Sequence, residues 1–327
     1  MTFDYRFRGA FALLAAMVLA IGVAACGDDD DDGGEDTSGD ESALIESNPD
    51  NEGVELTIGS KNFDEQFILG EIYAQALEAA GYTVDTELNL GSEVIAKKAL
   101  ESGEVDAYPE YTSTTLTSLY KVAPEDVPGD ANEAFEMAND ELQADGLVAF
   151  PPTPFTSANA VGLLTETADD LGVSTISDLE GVSQDLTLYG TTECRQRIDC
   201  LLGLEQNYGL EFKDFKSVDP ELRYDVLDNG DADLSILFTT DGQLYVDPDK
   251  YTILEDDQQL LPAGNVIVTA SQEAVDEAGG DFGATIEKVQ EDLSLEVMQE
   301  LNARVSLDRE KPEDVAAEYL QEAGYTQ

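Results

Sequence analysis

Apolar positions along this chain alternate between short continuous runs and stripes at helical spacing, the pattern of strands alternating with helices. Val54–Gly59 predicts a short strand. Asn62 or Asp64 suits the start of a helix to about Ala80, with Phe67, Ile68, Ile72, Ala76 and Leu77 on one stripe and Gly81 as its stop. Thr83–Leu90 reads as a strand, Ser92 through Leu100 as a helix ended by Ser102-Gly103, and Val105–Tyr108 as a buried strand. Thr112–Tyr120 and Ala131–Ala144 read as helices and Leu147–Phe150 as a strand, before the break Pro151-Pro-Thr-Pro154.

A second series follows. Strands are expected at Asn159–Leu164, Asp185–Tyr189, Glu211–Val218, Ala232–Phe238 and Tyr251–Glu255. Helices are expected at Ile176–Leu179, Leu201–Asn207 and Pro220–Leu227. Asn265–Thr269 reads as a strand returning to the first series, and only helical patterns follow it. The expectation is an α/β chain in two lobes, 54–153 with 262–327 and 154–261, joined by at least two crossings. Two crossings make a hinge, and a cleft between lobes is a natural small-ligand site.

The start of the chain reads differently. Arg6 and Arg8 precede an apolar run from Ala10 to Ala25 that meets Cys26, the pattern of a signal peptide over 1–25. Val23-Ala-Ala-Cys26 resembles a bacterial lipobox, in which the cysteine is lipidated and becomes the mature N-terminus. That predicts a protein anchored to the outer face of the cytoplasmic membrane, not one spanning it. Residues 26–53, opening with Asp28–Asp32, read as an acidic, disordered tether.

Of three cysteines, a lipidated Cys26 leaves Cys194 and Cys200 as a pair, expected to be oxidised outside the cytoplasm. Six residues of helix would separate their Cα atoms by about 9 Å, beyond the roughly 7 Å a disulfide spans. A loop or tight turn is therefore expected there, with a helix starting near Ile198 or Asp199.

The net charge of −55 argues against nucleic acid and anionic lipid surfaces as partners. Zero histidines remove Ser-His-Asp, Cys-His and His-zinc catalysis and leave too few soft ligands for a metal site. Carboxylate-pair chemistry stays open in principle.

The densest chemistry lies in Tyr108-Pro-Glu-Tyr-Thr-Ser-Thr114, a strand-to-helix turn. Open α/β sheets place ligands at such carboxyl ends of strands. A tyrosine face attracts a quaternary ammonium, a cation with no proton to donate. Tyr108 ends a buried strand and fits the core. Tyr111 is the candidate to line a cleft.

From Val54 onward the chain resembles the substrate-binding proteins of osmoprotectant ABC transporters, the glycine betaine/carnitine/choline binders of the quaternary-amine uptake class. The resemblance rests on Ile58-Gly-Ser-Lys-Asn-Phe-Asp-Glu-Gln66, Leu69-Gly-Glu-Ile-Tyr73, Gly103-Glu-Val-Asp106, Tyr108-Pro-Glu-Tyr-Thr112, Tyr208-Gly-Leu210, Phe238-Thr-Thr-Asp-Gly242, Leu254-Glu-Asp-Asp257 and Met298-Gln-Glu-Leu-Asn302. It implies a Venus-flytrap fold of type II topology, closing around a solute and delivering it to an ABC permease. It implies no enzyme activity and no cofactor, and a monomer is expected.

On this resemblance Tyr111 is a cage tyrosine, beside Thr112, with Ser113 where the family often has glycine. Tyr189, Tyr245 and Phe155 are the remaining cage candidates, and Asn159 is a further ligand-binding candidate. Lys61, Asn62, Arg195 and Thr240 are candidate donors to a ligand carboxylate, and Asp241 a candidate for the ammonium side. Each has a second reading: Lys61 and Asn62 as helix caps, Arg195 as the partner of Glu193 or Asp199, Asp241 as organiser of its own turn. An alternative ligand for the same fold is an amino acid or another amine. Other classes are a carboxylate-dependent hydrolase and a surface lipoprotein that binds no small molecule.

Overall fold

The computed structural model describes residues 44–217 and 219–327. The signal peptide, Cys26 and the first part of the tether lie outside the described residues. The strands, in chain order, are β1 (Glu55–Gly59), β2 (Thr83–Glu87), β3 (Ala107–Tyr111), β4 (Leu147–Ala149), β5 (Thr156–Ser157), β6 (Asn159–Leu164), β7 (Thr187–Gly190), β8 (Asp214–Ser217), β9 (Leu234–Phe238), β10 (Tyr251–Ile253) and β11 (Gly264–Ser271). They form two sheets, one per lobe.

The first sheet has the order β2-β1-β3-β11-β4, with β5 paired to β11. Strand β1 is parallel to β2 and β3, while β11 runs antiparallel to β3, β4 and β5. The second has the order β10-β6-β9-β7-β8, parallel at β8-β7-β9 and antiparallel at β9-β6-β10. This is the mixed α/β, two-lobed architecture that the alternating pattern predicts. The chain leaves the first sheet after Ser157, enters the second at Asn159, and returns into β11 at Gly264.

Both faces of each sheet are buried, which is why the central strands read as continuous apolar runs. In the first lobe, one face packs Ile58, Ile68, Tyr73, Phe282 and Met298, and the other packs Leu100, Tyr108, Leu116, Leu142 and Ile267. In the second, Leu163, Leu188, Leu204 and Leu234 form one layer and Tyr224, Leu237 and Tyr251 the other.

Several elements differ from the sequence reading. Residues 44–53 are docked rather than extended. Ile45 packs on the first core, its N–H bonds the Tyr325 carbonyl at 2.9 Å, and Asn51 is buried with its amide on the Ala80 carbonyl. The Asp64–Ala79 helix starts after Phe63 without a side-chain cap, so neither Asn62 nor Asp64 caps it. Thr112–Thr114 opens a helix that widens to π geometry over Thr115–Leu119, a form that recurs at functional sites. A helix at Thr165–Leu171 had no apolar stripe to announce it, since only Ala168 is buried.

Cys194 and Cys200 are joined, with Cα atoms 5.1 Å apart. The loop between them is a turn of 3-10 helix at Glu193–Gln196 followed by an extended Arg197, and the next helix begins at Leu201. The lobes also meet away from the crossings. The helix Gly242–Val246 of the second lobe packs on Leu295–Ser306 of the first. A Cβ at Gly242 would lie 2.3 Å from the Ala303 amide nitrogen, so only glycine permits this approach.

Candidate functional site

Between the lobes lies a cavity of about 100 Å³, far smaller than the roughly 300–1,000 Å³ of drug-sized pockets and suited to one compact solute. Its walls come from the carboxyl ends of β1 and β3 and the segment after β2 in the first lobe, from the segments after β7 and β8 and the end of β9 in the second, and from both crossings. That is where open α/β sheets present ligand-binding loops.

One wall is aromatic. Phe63, just before the first long helix, and Tyr111, at the end of β3, lie nearly parallel with centroids 6.5 Å apart. Phe238, at the end of β9, approaches Phe63 across the cleft at 5.3 Å. Tyr111 is fixed from behind: its hydroxyl donates to Glu65, which also accepts from Asn302 at 2.8 Å. Burial pushes the Glu65 carboxyl above its ordinary value, against the hydrogen bonds from Thr240, Tyr111 and Asn302. The Tyr111 phenol is likewise pushed well up by burial and by the charge of Glu65, so it remains a donor.

The other wall is charged. Lys61 pairs with the buried Glu110 and sets its ammonium 4.4 Å from the Tyr111 ring centroid. Burial lifts the Glu110 carboxyl, against the pull of Lys61. Arg197, presented by the disulfide loop, holds Asp199 through Nε at 2.8 Å and Nη2 at 2.5 Å. Burial works against the Asp199 charge, but the guanidinium outweighs it and holds the carboxyl below the usual range. Arg223 grips Asp241 with two donors and stacks 4.5 Å from the Phe238 ring. Contacts cross the cleft: Thr117 donates to Asp199 at 3.2 Å, and Glu93 stands 3.8 Å from Arg197 Nη1.

Of the residues singled out from sequence, Lys61, Asn62, Tyr111 and Asn159 line the cleft. Asn159 donates to the Asp199 carbonyl at 3.0 Å and steadies the disulfide loop. The others stand elsewhere. Thr112 is buried with its hydroxyl accepting from the Asn265 N–H, and Phe155 lies in the first core. Tyr189 packs in the second lobe with Lys216 over its ring, one residue before the cleft-lining Gly190. Arg195 points away, donating to the Phe215 carbonyl at 2.6 Å and covering that ring. It pairs with neither Glu193 nor Asp199. Thr240, in the turn after β9, bonds Ser157 of the first crossing at 3.1 Å, Asp241 sits behind Phe238 on Arg223, and Tyr245 is half-buried on the Gly242–Val246 helix. Phe63, Glu93, Arg197, Asp199, Arg223 and Phe238 line or support the cleft and were not singled out. Phe63 and Phe238 lie inside the quoted motifs and Arg197 is two residues from Arg195, so their segments were legible although their orientation was not.

Residues 54–322 match the family described as the substrate binding domain of ABC-type glycine betaine transport systems. The chain belongs to this family. A glycine-betaine-binding protein of Pseudomonas aeruginosa is 34% identical over 278 residues, covering 82% of this chain and 87% of that one. The carnitine transport binding protein OpuCC of Listeria monocytogenes is 26% identical, covering 83% and 87%. Among solved structures, that of a glycine betaine/carnitine/choline ABC transporter superposes with a TM-score of 0.65 at 25% identity, over 82% of this chain and 98% of that one. A lactococcal OpuAC closed on glycine betaine shares the fold, with a TM-score of 0.58 at 10% identity. The protein is thus the extracytoplasmic solute-binding component of an ABC importer, working with a membrane permease and not as an enzyme. The fold is the two-lobed periplasmic-binding-protein fold.

Proposed function

We propose that the cleft captures glycine betaine, choline or a related quaternary-amine solute, with the ammonium against Phe63, Tyr111 and Phe238. The observation that carries this is the meeting of three rings from two lobes on one small cavity. A quaternary ammonium cannot donate a hydrogen bond, so aromatic faces are its best partners, each contributing about 0.5–2 kcal/mol when desolvated. Lys61, Asn62, Asn159 and Arg197 form the polar wall for the rest of the ligand. Because rings come from both lobes, a bound cation favours the closed arrangement, and closure signals occupancy.

The lipid anchor on Cys26 and a monomeric state belong to the same reading. The sequence pattern Val23-Ala-Ala-Cys26 supports the anchor. Family membership favours a quaternary amine over an amino acid or another amine. Isothermal titration of the protein with glycine betaine, choline, carnitine and several amino acids tests the reading. Saturable, one-to-one binding of a quaternary amine is expected, near −8 kcal/mol for a micromolar site. Binding confined to amino acids would overturn it.

A further inference from the structure

Each cation on the cleft wall already has its own carboxylate: Lys61 has Glu110, Arg223 has Asp241 and Arg197 has Asp199. Glu93 is a further carboxylate on the same wall, only 6% exposed. It accepts from the Ser118 hydroxyl at 2.5 Å. Among the described residues, its one cation within 4 Å is Arg197, whose charge Asp199 already matches through two hydrogen bonds. Glu93 opens the Glu93–Ser102 helix, whose first-turn N–H groups favour an anion. Burial disfavours its charge, but Arg197, the Ser118 hydroxyl, the more distant Lys61 and its own backbone N–H together outweigh burial and hold the carboxyl below its ordinary value, so it is an anion at neutral pH. Glu193 also lines the cavity, half-buried, and adds to the same negative balance.

We propose that Glu93 is a specificity-determining residue, which gives the cleft an excess of negative charge and covers the free edge of the Arg197 guanidinium, so that the site prefers a net-cationic quaternary amine bearing a hydroxyl over a zwitterion bearing a carboxylate. This rests on the quaternary-amine reading above. A ligand carboxylate that reaches Arg197 Nη1 meets Glu93 on the same edge, where both side chains are largely withdrawn from solvent. Like-charge juxtaposition of this kind is how binding sites reject a near-isosteric competitor. A ligand hydroxyl instead donates to Glu93, and the ligand's net positive charge matches the excess of carboxylate in the cleft. Choline has both features and glycine betaine has neither.

Calorimetric titration of the wild-type protein and of Glu93→Gln with choline and with glycine betaine tests this. The wild type is expected to bind choline at least tenfold tighter than glycine betaine. Glu93→Gln, isosteric and uncharged, is expected to move that ratio at least tenfold towards glycine betaine. The inference is overturned if the wild type binds glycine betaine as tightly as choline, or if the ratio is unchanged in a folded variant. The wild-type ratio needs no variant, so misfolding of Glu93→Gln cannot shelter the claim. Binding of both ligands in the wrong ratio removes Glu93 alone and leaves the quaternary-amine reading standing. Binding of neither removes both.

Discussion

Tyr111 shows how one side chain is committed from two sides. Its ring lines the cleft beside Phe63, while its hydroxyl is held by Glu65 in the core. The ring is therefore pre-positioned, and little conformational entropy is lost when a cation settles on it. Tyr111→Ala is expected to weaken quaternary-amine binding at least tenfold, about 1.4 kcal/mol, as measured by calorimetry. Unchanged affinity in a folded variant would remove this ring from the site. Sequence reasoning reached Tyr111, Lys61, Asn62 and Asn159 because they lie beside strand ends or in turns, where the chain itself marks the mouth of the sheet. It missed by one or two residues at Tyr189, Arg195 and Thr240, whose neighbours Gly190, Arg197 and Phe238 line the cleft. At Tyr189 the miss is one of parity, because successive residues of a strand point to opposite faces; Arg195 and Thr240 lie in the turns after β7 and β9, where no strand period applies. Segment patterns resolve neither that parity at a strand's end nor the orientation of the turn after it.

At the scale of elements, apolar periodicity identified the long helices and every strand but the two-residue β5, most clearly the central strands, which are buried on both faces. It failed where tertiary contacts replaced local signals. The first long helix lacks a side-chain cap, and instead the Gln66 side chain accepts from the Lys61 N–H at 3.2 Å, tying the cleft loop to the helix. Residues 44–53 carry a polar, tether-like composition, yet Ile45 and Asn51 dock them on the first lobe. The contact of Gly242–Val246 with Leu295–Ser306 was invisible in the sequence, since a glycine at a helix start announces no partner. Asn302 and Gln299 reinforce it by donating to the carbonyls of Thr240 and Thr239. Gly242→Leu would drive a side chain into the Ala303 backbone, which cannot yield as a flexible side chain can. A loss of about 1–3 kcal/mol is expected, read as a lower midpoint in thermal or denaturant unfolding. A midpoint equal to wild type would show that the two helices part without cost.

At the scale of the molecule, the lobes are joined by two crossings and by contacts that span the cleft: Phe63 on Phe238, Thr117 on Asp199, and Glu93 near Arg197. The chain carries a net charge of −55, and in the cleft each of three cations is matched by a carboxylate beside the aromatic wall. The surface field attracts cationic solutes over a range that salt shortens to about 8 Å at physiological ionic strength. Selection is left to the cleft. The central claim is that a quaternary ammonium sits among Phe63, Tyr111 and Phe238. The most direct test is a set of intermolecular nuclear Overhauser effects between the N-methyl protons of carbon-13-labelled choline and the ring protons of the protein at saturation. The account predicts effects to all three rings, with each assigned signal lost in the matching alanine variant. Saturable binding with effects to other side chains and none to these rings would contradict it.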